Sequence, residues 1–183
     1  MRALFELLSN EKDLANAIAA VASALTALIA LFVSPWALHI QRRHNVLSIR
    51  PIPEVTVADY EDRLRVKLGN YGSGPPIVAS LEVFNGSAVK GSVIERMPTL
   101  PGNRPWNHFA MALERRTIQP DGVVPLLELT AGEGEPLFDT CRDLTRAELS
   151  KLRVVVHYTD IYESALPPYE KSLVWLGRNL SNA

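Results

Sequence analysis

The sequence has a single cysteine, Cys141, and therefore no second thiol with which it could form an internal disulfide. A lone thiol fits a reducing compartment, although one residue does not decide the compartment. The four histidines show no metal-ligand spacing, and Cys141 is not part of a Cys-x-x-Cys pair. We therefore expect no metal site and no bound cofactor.

Motifs of the common nucleophilic and phosphate-binding enzymes are also missing. The chain has no Gly-x-Ser-x-Gly and no glycine-rich loop that ends in Gly-Lys-Ser or Gly-Lys-Thr. A cysteine nucleophile would need Cys141 close to His157 or His108, together with a third, orienting group, and no local motif supports one. The sequence thus predicts no catalytic residue.

An excess of one charge is absent as well. The chain carries 19 lysines and arginines against 20 aspartates and glutamates. Nucleic-acid-binding domains normally present a basic stripe or patch, and none stands out in this sequence. We expect no nucleic acid among the partners.

What the chain does contain is one long apolar run. Residues 14–38 form 25 consecutive positions without a charged side chain. A bilayer core of about 30 Å needs roughly 20 apolar residues in a helix, so this run predicts a transmembrane helix and a lipid bilayer as its partner. Trp36, at the end of the run, and the pair Arg42 and Arg43 beyond it are the predicted membrane-interface residues.

Two alternatives to a retained transmembrane helix remain. A buried core helix would normally show one polar face, and residues 17–33 show none. A cleaved signal peptide would have a basic start, a shorter apolar region and a cleavage site between small residues, which are lacking here. We therefore expect the helix to be retained.

The basic residues at the two ends of the run predict its orientation. Arg2 and Lys12 precede it, whereas Arg42, Arg43 and Arg50 follow it. Because lysine and arginine are enriched on the cytoplasmic side, this small difference favours a C-terminal domain in the cytoplasm, held at the cell inner membrane. The alternative is a domain that faces the periplasm.

Small side chains are frequent along the apolar run and share one broad helical face. Close packing through small residues is a usual way for helices to associate in lipid, so this face predicts a homo-oligomer. The alternative is that alanine is simply a common helix former. The predicted packing residues are Ala15, Ala19, Ala22, Ser23, Thr26, Ala27 and Ala30.

Hydrophobic residues alternate with polar ones after Pro53, which predicts short β-strands. The spacing favours a mainly β fold, either an antiparallel β-sandwich of the immunoglobulin-like type or a small β-barrel. Thr145–Glu148 resembles a capping box, so one short helix should begin there. The predicted strands lie near residues 55–58, 64–68, 79–83, 109–113, 126–129, 154–158 and 172–176. The predicted organisation is an N-terminal flank at 1–13, the transmembrane helix at 14–38, a juxtamembrane linker at 39–53, the β-sandwich domain at 54–178 and a tail at 179–183.

The loop Asn70-Tyr71-Gly72-Ser73-Gly74-Pro75 is the most distinctive short motif. Its glycines allow positive φ, and such a loop could present backbone N–H groups to an anion. The alternative is a tight bend between two strands. Asn70, Tyr71, Gly72 and Gly74 are therefore candidate residues of a partner or ligand surface.

A strand that ends in Asn-Tyr-Gly-x-Gly-Pro, after an N-terminal span and an Arg-Pro, resembles small bacterial membrane-anchored proteins of unassigned function. Residues 55–84 are similar to the strand pair around that loop, and residues 158–162 are similar to a late strand. The resemblance covers about half of the chain. It implies a single-pass protein with a β-domain and implies no activity.

Two further groups are candidates for a binding surface. Tyr158, Asp160 and Tyr162 would share one face of a strand, where tyrosine supplies contact area and a hydroxyl. Arg104 and Trp106 lie on a proline-rich loop, and both residue types are enriched at binding hot spots. The alternatives are a core tyrosine with an aspartate that closes a turn, and a loop whose tryptophan folds back on the sheet.

The leading hypothesis is a non-enzymatic single-pass membrane protein whose β-domain binds a protein partner or a small ligand. Receptor, scaffold and membrane effector all fit that description. An envelope protein with a periplasmic domain that assists assembly or transport is one alternative. An enzyme with an unrecognised site is the other.

Overall fold

The computed structural model describes the backbone of residues 2–180 and their side chains except for residues 2–11, 13, 87–90 and 179. The chain divides into two compact units, Met1–Leu47 and Ser48–Ala183. The predicted tail at 179–183 lies largely outside the described residues. Each unit is described by itself.

The first unit is one helix, α1, at Arg2–Ser48. Its 47 residues continue without a break through Pro35 and through residues 39–48, so only residues 49–52 separate α1 from the first strand. The hydroxyls of Thr26 and Ser34 donate to the carbonyls of Ala22 and Ala30, which satisfies these two polar side chains within the helix.

The apolar part of α1 is long enough to cross a membrane. The candidate span is Leu14–Ser48, and none of its most apolar window is buried. A core helix of a soluble protein would be largely buried, so that alternative does not fit this helix. A signal sequence near the N-terminus can also be long and apolar enough to meet this criterion.

The second unit contains two four-stranded antiparallel sheets. The first sheet has the order β1-β2-β6-β5 and the second has the order β4-β3-β7-β8. The Tyr60–Asp62 turn joins β1 to β2 in an antiparallel pair. The strands are β1 Pro53–Asp59, β2 Arg63–Asn70, β3 Ile77–Asn85, β4 Ser87–Lys90, β5 His108–Phe109, β6 Val123–Thr130, β7 Arg153–Thr159 and β8 Tyr169–Ser172.

Both sheets and one helix contribute to a single apolar core. Alternate residues of β2, namely Leu64, Val66 and Leu68, are fully buried, as are Val154 and Val156 of β7. The helix α2, Phe138–Ser150, adds the residues on one of its faces. Every second residue of these strands is therefore buried because one face of each strand packs into the core and is removed from water.

The helix start predicted at Thr145 is wrong. α2 begins at Phe138, and Thr145 lies in its interior, where the hydroxyl donates to the Cys141 carbonyl over 2.7 Å. A threonine that bonds back to the preceding turn is satisfied inside a helix and need not cap one. Phe138, Cys141, Thr145 and Leu149 are the buried residues at helical spacing that define the true element.

Two predicted strands differ from the structure. The strand near residues 172–176 is wrong beyond Ser172, because Val174–Asn179 forms a 3-10 helix. The strand near residues 109–113 stops at Phe109. The chain then leaves the first sheet, and the backbones of Arg115 and Arg116 hydrogen-bond to Val78 in β3 of the second sheet.

The alternation in β3 is interrupted by a register shift between Val78 and Ser80. A strict alternation from Leu81 and Val83 back to Ala79 would bury Ala79, but Ala79 is exposed there and both flanking residues are buried. The strand β4 was not predicted. Its turn contains Asn85-Gly86, with Gly86 at φ 80°, which is a known hairpin signal.

Candidate functional site

The buried Asn70 side chain holds the end of β2 in place. Its amide oxygen accepts from the backbone N–H groups of Gly72 at 2.9 Å and Ile52 at 3.2 Å. Its amide nitrogen donates to the carbonyls of Gly74 at 2.9 Å and Ile118 at 3.3 Å. The amide thus uses all four of its hydrogen-bonding positions inside the domain. Asn70 is 1% exposed and does not form part of an open surface.

The two loop glycines are required by close backbone contact rather than by positive φ. Neither Gly72 nor Gly74 is among the glycines with positive φ. A Cβ atom on Gly74 would overlap the Ile49 carbonyl, and one on Gly72 would overlap the backbone of Arg50 and Ile52. The expectation that these glycines are needed for positive φ is therefore wrong. They are needed because the loop packs directly on the segment that precedes β1.

The loop does not present its amides as an open anion nest. The N–H of Gly72 is bound by Asn70, and the N–H of Tyr71 donates to the Ile52 carbonyl at 2.9 Å. Tyr71 is the exception among the candidate residues of this loop, since its side chain is 52% exposed. Its ring lies over Gly69, on the solvent side of the first sheet.

Tyr158, Asp160 and Tyr162 do not form one strand face. β7 ends at Thr159, and an oxygen of the buried Asp160 accepts from the N–H groups of Tyr162 and Ser164, both at 2.9 Å. Burial opposes ionisation of Asp160, but these hydrogen bonds outweigh it and lower its pKa. Asp160 therefore closes a turn.

The two tyrosines of this group separate. Tyr158 is buried, and this burial raises its pKa although Arg50 acts in the opposite direction. Tyr162 projects from the turn and is 53% exposed. Only Tyr162 remains available to a partner.

Arg104 and Trp106 are held by contacts within the domain. Arg104 forms an ion pair with Glu135 at 3.1 Å, donates to the Thr130 carbonyl and lies over the Phe138 ring. Trp106 packs against the core, and its indole N–H donates to the Pro98 carbonyl at 3.4 Å. The tryptophan folds back on the domain, which was the alternative to a hot spot.

The small residues predicted for helix packing lie on one side of α1, as their spacing indicates. The seven small residues from Ala15 to Ala30 are exposed and fall on one face of α1. Trp36, Arg42 and Arg43 are also exposed on this helix. This unit therefore offers an unoccupied face for a second helix or for lipid.

A buried charge cluster, missed from the sequence, ties α2 to β1. Arg146 meets Asp59 at 2.6 Å and Asp143 at 2.6 Å, and Arg178 lies 3.8 Å from Asp59. Burial alone would lower the pKa of Arg146, but the hydrogen bonds and charges of the two aspartates raise it. The Asp59 side chain has no exposed surface, so the cluster is a structural clamp.

The outer face of the first sheet carries a row of three cations. Arg63, Arg65 and Lys67 alternate with the buried Leu64, Val66 and Leu68 along β2, and we call them the cationic row. Their alternation was visible in the sequence, but the overall charge balance gave no reason to single them out. β2 pairs with β1 on one side and with β6 on the other, so the row lies in the interior of a sheet.

A shallow groove of about 260 Å³ lies beside this row. Arg65 and Lys67 contribute their charges to it, and the exposed Tyr71 and Val123 close one end. The groove can accept a small polar or anionic group through two cations and a phenol. Thr56, Val57 and Ala58 of β1 complete its lining.

The part of the chain that the structure describes contains no cluster of three or more His, Cys, Asp or Glu side chains that could hold a metal ion. Cys141 is buried. His157 Nε2 lies 3.6 Å from the Glu82 carboxylate.

Comparison of the chain with protein-family models, with curated proteins and with solved structures finds no match.

Proposed function

We propose that this protein is a non-enzymatic, single-pass membrane protein of the cell inner membrane whose β-domain is a cytoplasmic binding module for a protein partner. The observation that carries the proposal is α1, a continuous helix whose apolar window is unburied. An exposed run of this length has a lower free energy in a bilayer than in water.

The β-domain supports a binding role through the face that it leaves open. Tyr71 and Tyr162 are exposed, and the cationic row of β2 borders a groove on a rigid sheet. Tyrosine and arginine are enriched at protein interfaces. A rigid sheet face also loses little conformational entropy when a partner binds.

The proposed fold of this domain is a β-sandwich. Two four-stranded sheets share one core, and the Tyr169 hydroxyl in β8 meets the backbone N–H of Val55 in β1. Burial raises the pKa of Tyr169, whose ring packs against that core. The resemblance to small bacterial membrane-anchored β-domain proteins stays a prediction beside this proposal.

Membrane fractionation tests the anchor. We expect the full-length protein to sediment with membranes and to resist carbonate extraction. An apolar helix that is inserted in the bilayer binds it far more strongly than contacts at the membrane surface do. The intact mass of the purified protein distinguishes a retained transmembrane helix from a cleaved signal sequence. A retained helix includes residues 14–38, whereas a cleaved signal sequence would remove them and overturn the proposal.

Orientation needs a new reporter, because the natural Cys141 is fully buried and should not react with a polar reagent. We expect Gln119→Cys, in an exposed loop, to react with a membrane-impermeant maleimide only after the cells are lysed. The unsubstituted protein is the control. Labelling in intact spheroplasts would show a periplasmic domain and favour the envelope alternative.

A further inference from the structure

We infer that the cationic row of Arg63, Arg65 and Lys67 binds an acidic, extended segment of a partner protein on the outer face of the first sheet. The inference rests on the proposed binding function and names the chemistry of the partner. It is carried by the geometry of the row, by its uncompensated charge, and by the free space beside it.

The row places three positive side chains on one face of β2. Its three side chains leave the same face of β2 at every second residue, which separates neighbouring Cβ atoms of the row by about 7 Å. β2 is hydrogen-bonded to β1 and to β6, so the backbone that carries the row has little freedom. The points at which the three side chains leave the sheet are therefore set before a partner arrives.

The charges of the row have no partners among the described residues. Other basic side chains of the domain, such as Arg104, Arg146 and Arg153, pair with carboxylates at 2.6–3.1 Å. Arg65 and Lys67 make no side-chain ion pair or hydrogen bond in that part of the chain, and the Arg63 guanidinium lies 6.0 Å from the centroid of the Tyr60 ring without an ion pair. The Arg63 Nε is shielded from solvent without a hydrogen-bond acceptor.

Two carboxylates share this face, and neither forms an ion pair with the row. Glu128 is opposite Arg65 in the ladder with β6, and Glu54 is opposite Gly69 in the ladder with β1. Neither comes within ion-pair distance of the row among the described side chains. Like charges held side by side on a strand repel each other, so an added anion relieves a cost that the domain already carries.

The neighbours of the row leave room for a ligand chain. Lys67 is flanked by Thr56 and Pro125, and Arg65 has the small Ala58 on its β1 side. Of these, Thr56 and Ala58 line the groove beside Arg65 and Lys67. Exposed tyrosines stand at the two ends of the row, Tyr60 beside Arg63 and Tyr71 beyond Lys67.

An extended acidic segment matches this array in spacing as well as in charge. Alternate side chains of an extended chain point to one side and repeat at about 7 Å, which is the repeat of the cations. Acidic residues at alternate positions could therefore each meet one cation, while the intervening residues face solvent. A helix would place acidic residues on one side only at three- or four-residue spacing.

Fluorescence anisotropy of full-length protein in uncharged-lipid nanodiscs tests this match. The probe is a labelled peptide that alternates glutamate with threonine, and its comparison is a peptide of the same composition with the glutamates placed together. We expect the alternating peptide to bind more tightly, and its binding to weaken as ionic strength rises.

Substitution of the row supplies the second arm of the test. Arg65→Gln with Lys67→Gln should raise the Kd of the alternating peptide about tenfold. Arg115→Gln with Arg116→Gln removes the same charge from exposed positions beside β3 and should leave the Kd within about twofold of wild type. Both double variants should keep the thermal unfolding of the wild type.

Several results would overturn the inference. Equal losses of peptide affinity in the two double variants would mean that only the net charge of the domain matters. Equal affinity for both peptides would show that alternating glutamates in an extended segment are not required. Displacement of the peptide at lower concentration by an oligothymidylate of equal charge, or by short-chain phosphatidylglycerol, would assign the row to nucleic acid or to lipid. Absence of peptide binding in a protein that resists carbonate extraction would refute the acidic partner and leave the anchored module standing.

Discussion

At the end of β2, the buried Asn70 has a structural role that its exposed neighbour Tyr71 does not share. Asn70 joins backbone segments that are far apart in sequence, because its amide reaches Ile52, Gly74 and Ile118. Tyr71, its neighbour, points to solvent. The loop motif therefore combines a structural residue with one that can contact a partner.

Replacement of Asn70 should reveal that structural role. Asn70→Ala leaves buried N–H and carbonyl groups without partners, each of which costs about 1–3 kcal/mol, so we expect the free energy of unfolding to fall by about 2–4 kcal/mol. Urea unfolding of the protein in detergent, followed by circular dichroism, measures the change. Tyr71→Phe, an exposed change next to it, should stay within about 0.5 kcal/mol of wild type. Equal midpoints for the two variants would contradict the role assigned to Asn70.

At the scale of elements, the contact between α2 and the first sheet depends on a buried ion pair as well as on apolar packing. Arg146 brings its guanidinium from α2 to Asp59 at the end of β1. Leu149 and Phe138 on the same helix enter the core. The charge cluster sets the position of the helix, and the core residues supply most of its apolar burial.

Removal of one partner from this cluster should be costly. Arg146→Met leaves the buried Asp59 with the more distant Arg178, and we expect a loss of about 3–5 kcal/mol in unfolding free energy. Lys151→Met, which removes an exposed pair with Glu148 in the same helix, should cost less than about 1 kcal/mol. Thermal or urea unfolding compares them.

The double variant Asp59→Asn with Arg146→Met distinguishes a buried-charge penalty from lost packing. Because the buried Asp59 carboxylate is no longer present, the double variant should recover part of the loss seen with Arg146→Met alone. If the double variant lost more unfolding free energy than the two single variants together, the buried charge would not be the cause of the loss seen with Arg146→Met.

The helix α1 allows an equally direct prediction. A bulky residue on the small-residue face should separate two packed helices while the helix stays apolar, so Ala19→Ile with Ala27→Ile should weaken self-association in membranes. Leu25→Ile, outside that row, should not. Crosslinking at matched expression measures the difference. Equal signals for both variants and the wild type would mean that α1 does not assemble through these residues.

For the whole molecule, the two compact units imply that the second can fold without the first. Residues 48–183 contain all the described core residues and both sheets. We expect this fragment to be soluble and to show a mainly β circular dichroism spectrum. A spectrum dominated by helix would refute the prediction.

The starting point of that fragment should matter. Ile49 and Arg50 pack on the glycine loop, and Ser73 donates to the Ser48 carbonyl. A fragment that begins at Pro53 loses those contacts and the Ile52 backbone bonds of the loop. It should therefore unfold at a lower temperature than residues 48–183. Equal unfolding temperatures would show that the segment before β1 contributes nothing.

Local patterns predicted much of this architecture. The apolar run of α1 and the alternation in β1, β2 and β7 are confirmed, because each depends only on residues close together in sequence. The errors at residues 109–113 and 172–176 have one cause. There the chain leaves a sheet or tightens into a 3-10 helix, and a short alternating pattern fits those conformations as well as it fits a strand.

The sequence by itself determined that the chain has a helix able to span a membrane and a domain of short antiparallel strands, since hydrophobic periodicity acts within each element. Only the tertiary structure decided which candidate residues face solvent. Asn70 and Asp160 are buried because segments distant in sequence, or the fold of a turn, supply their hydrogen bonds. The cationic row became a surface because β1 and β6 pair on either side of β2 and place short side chains beside it.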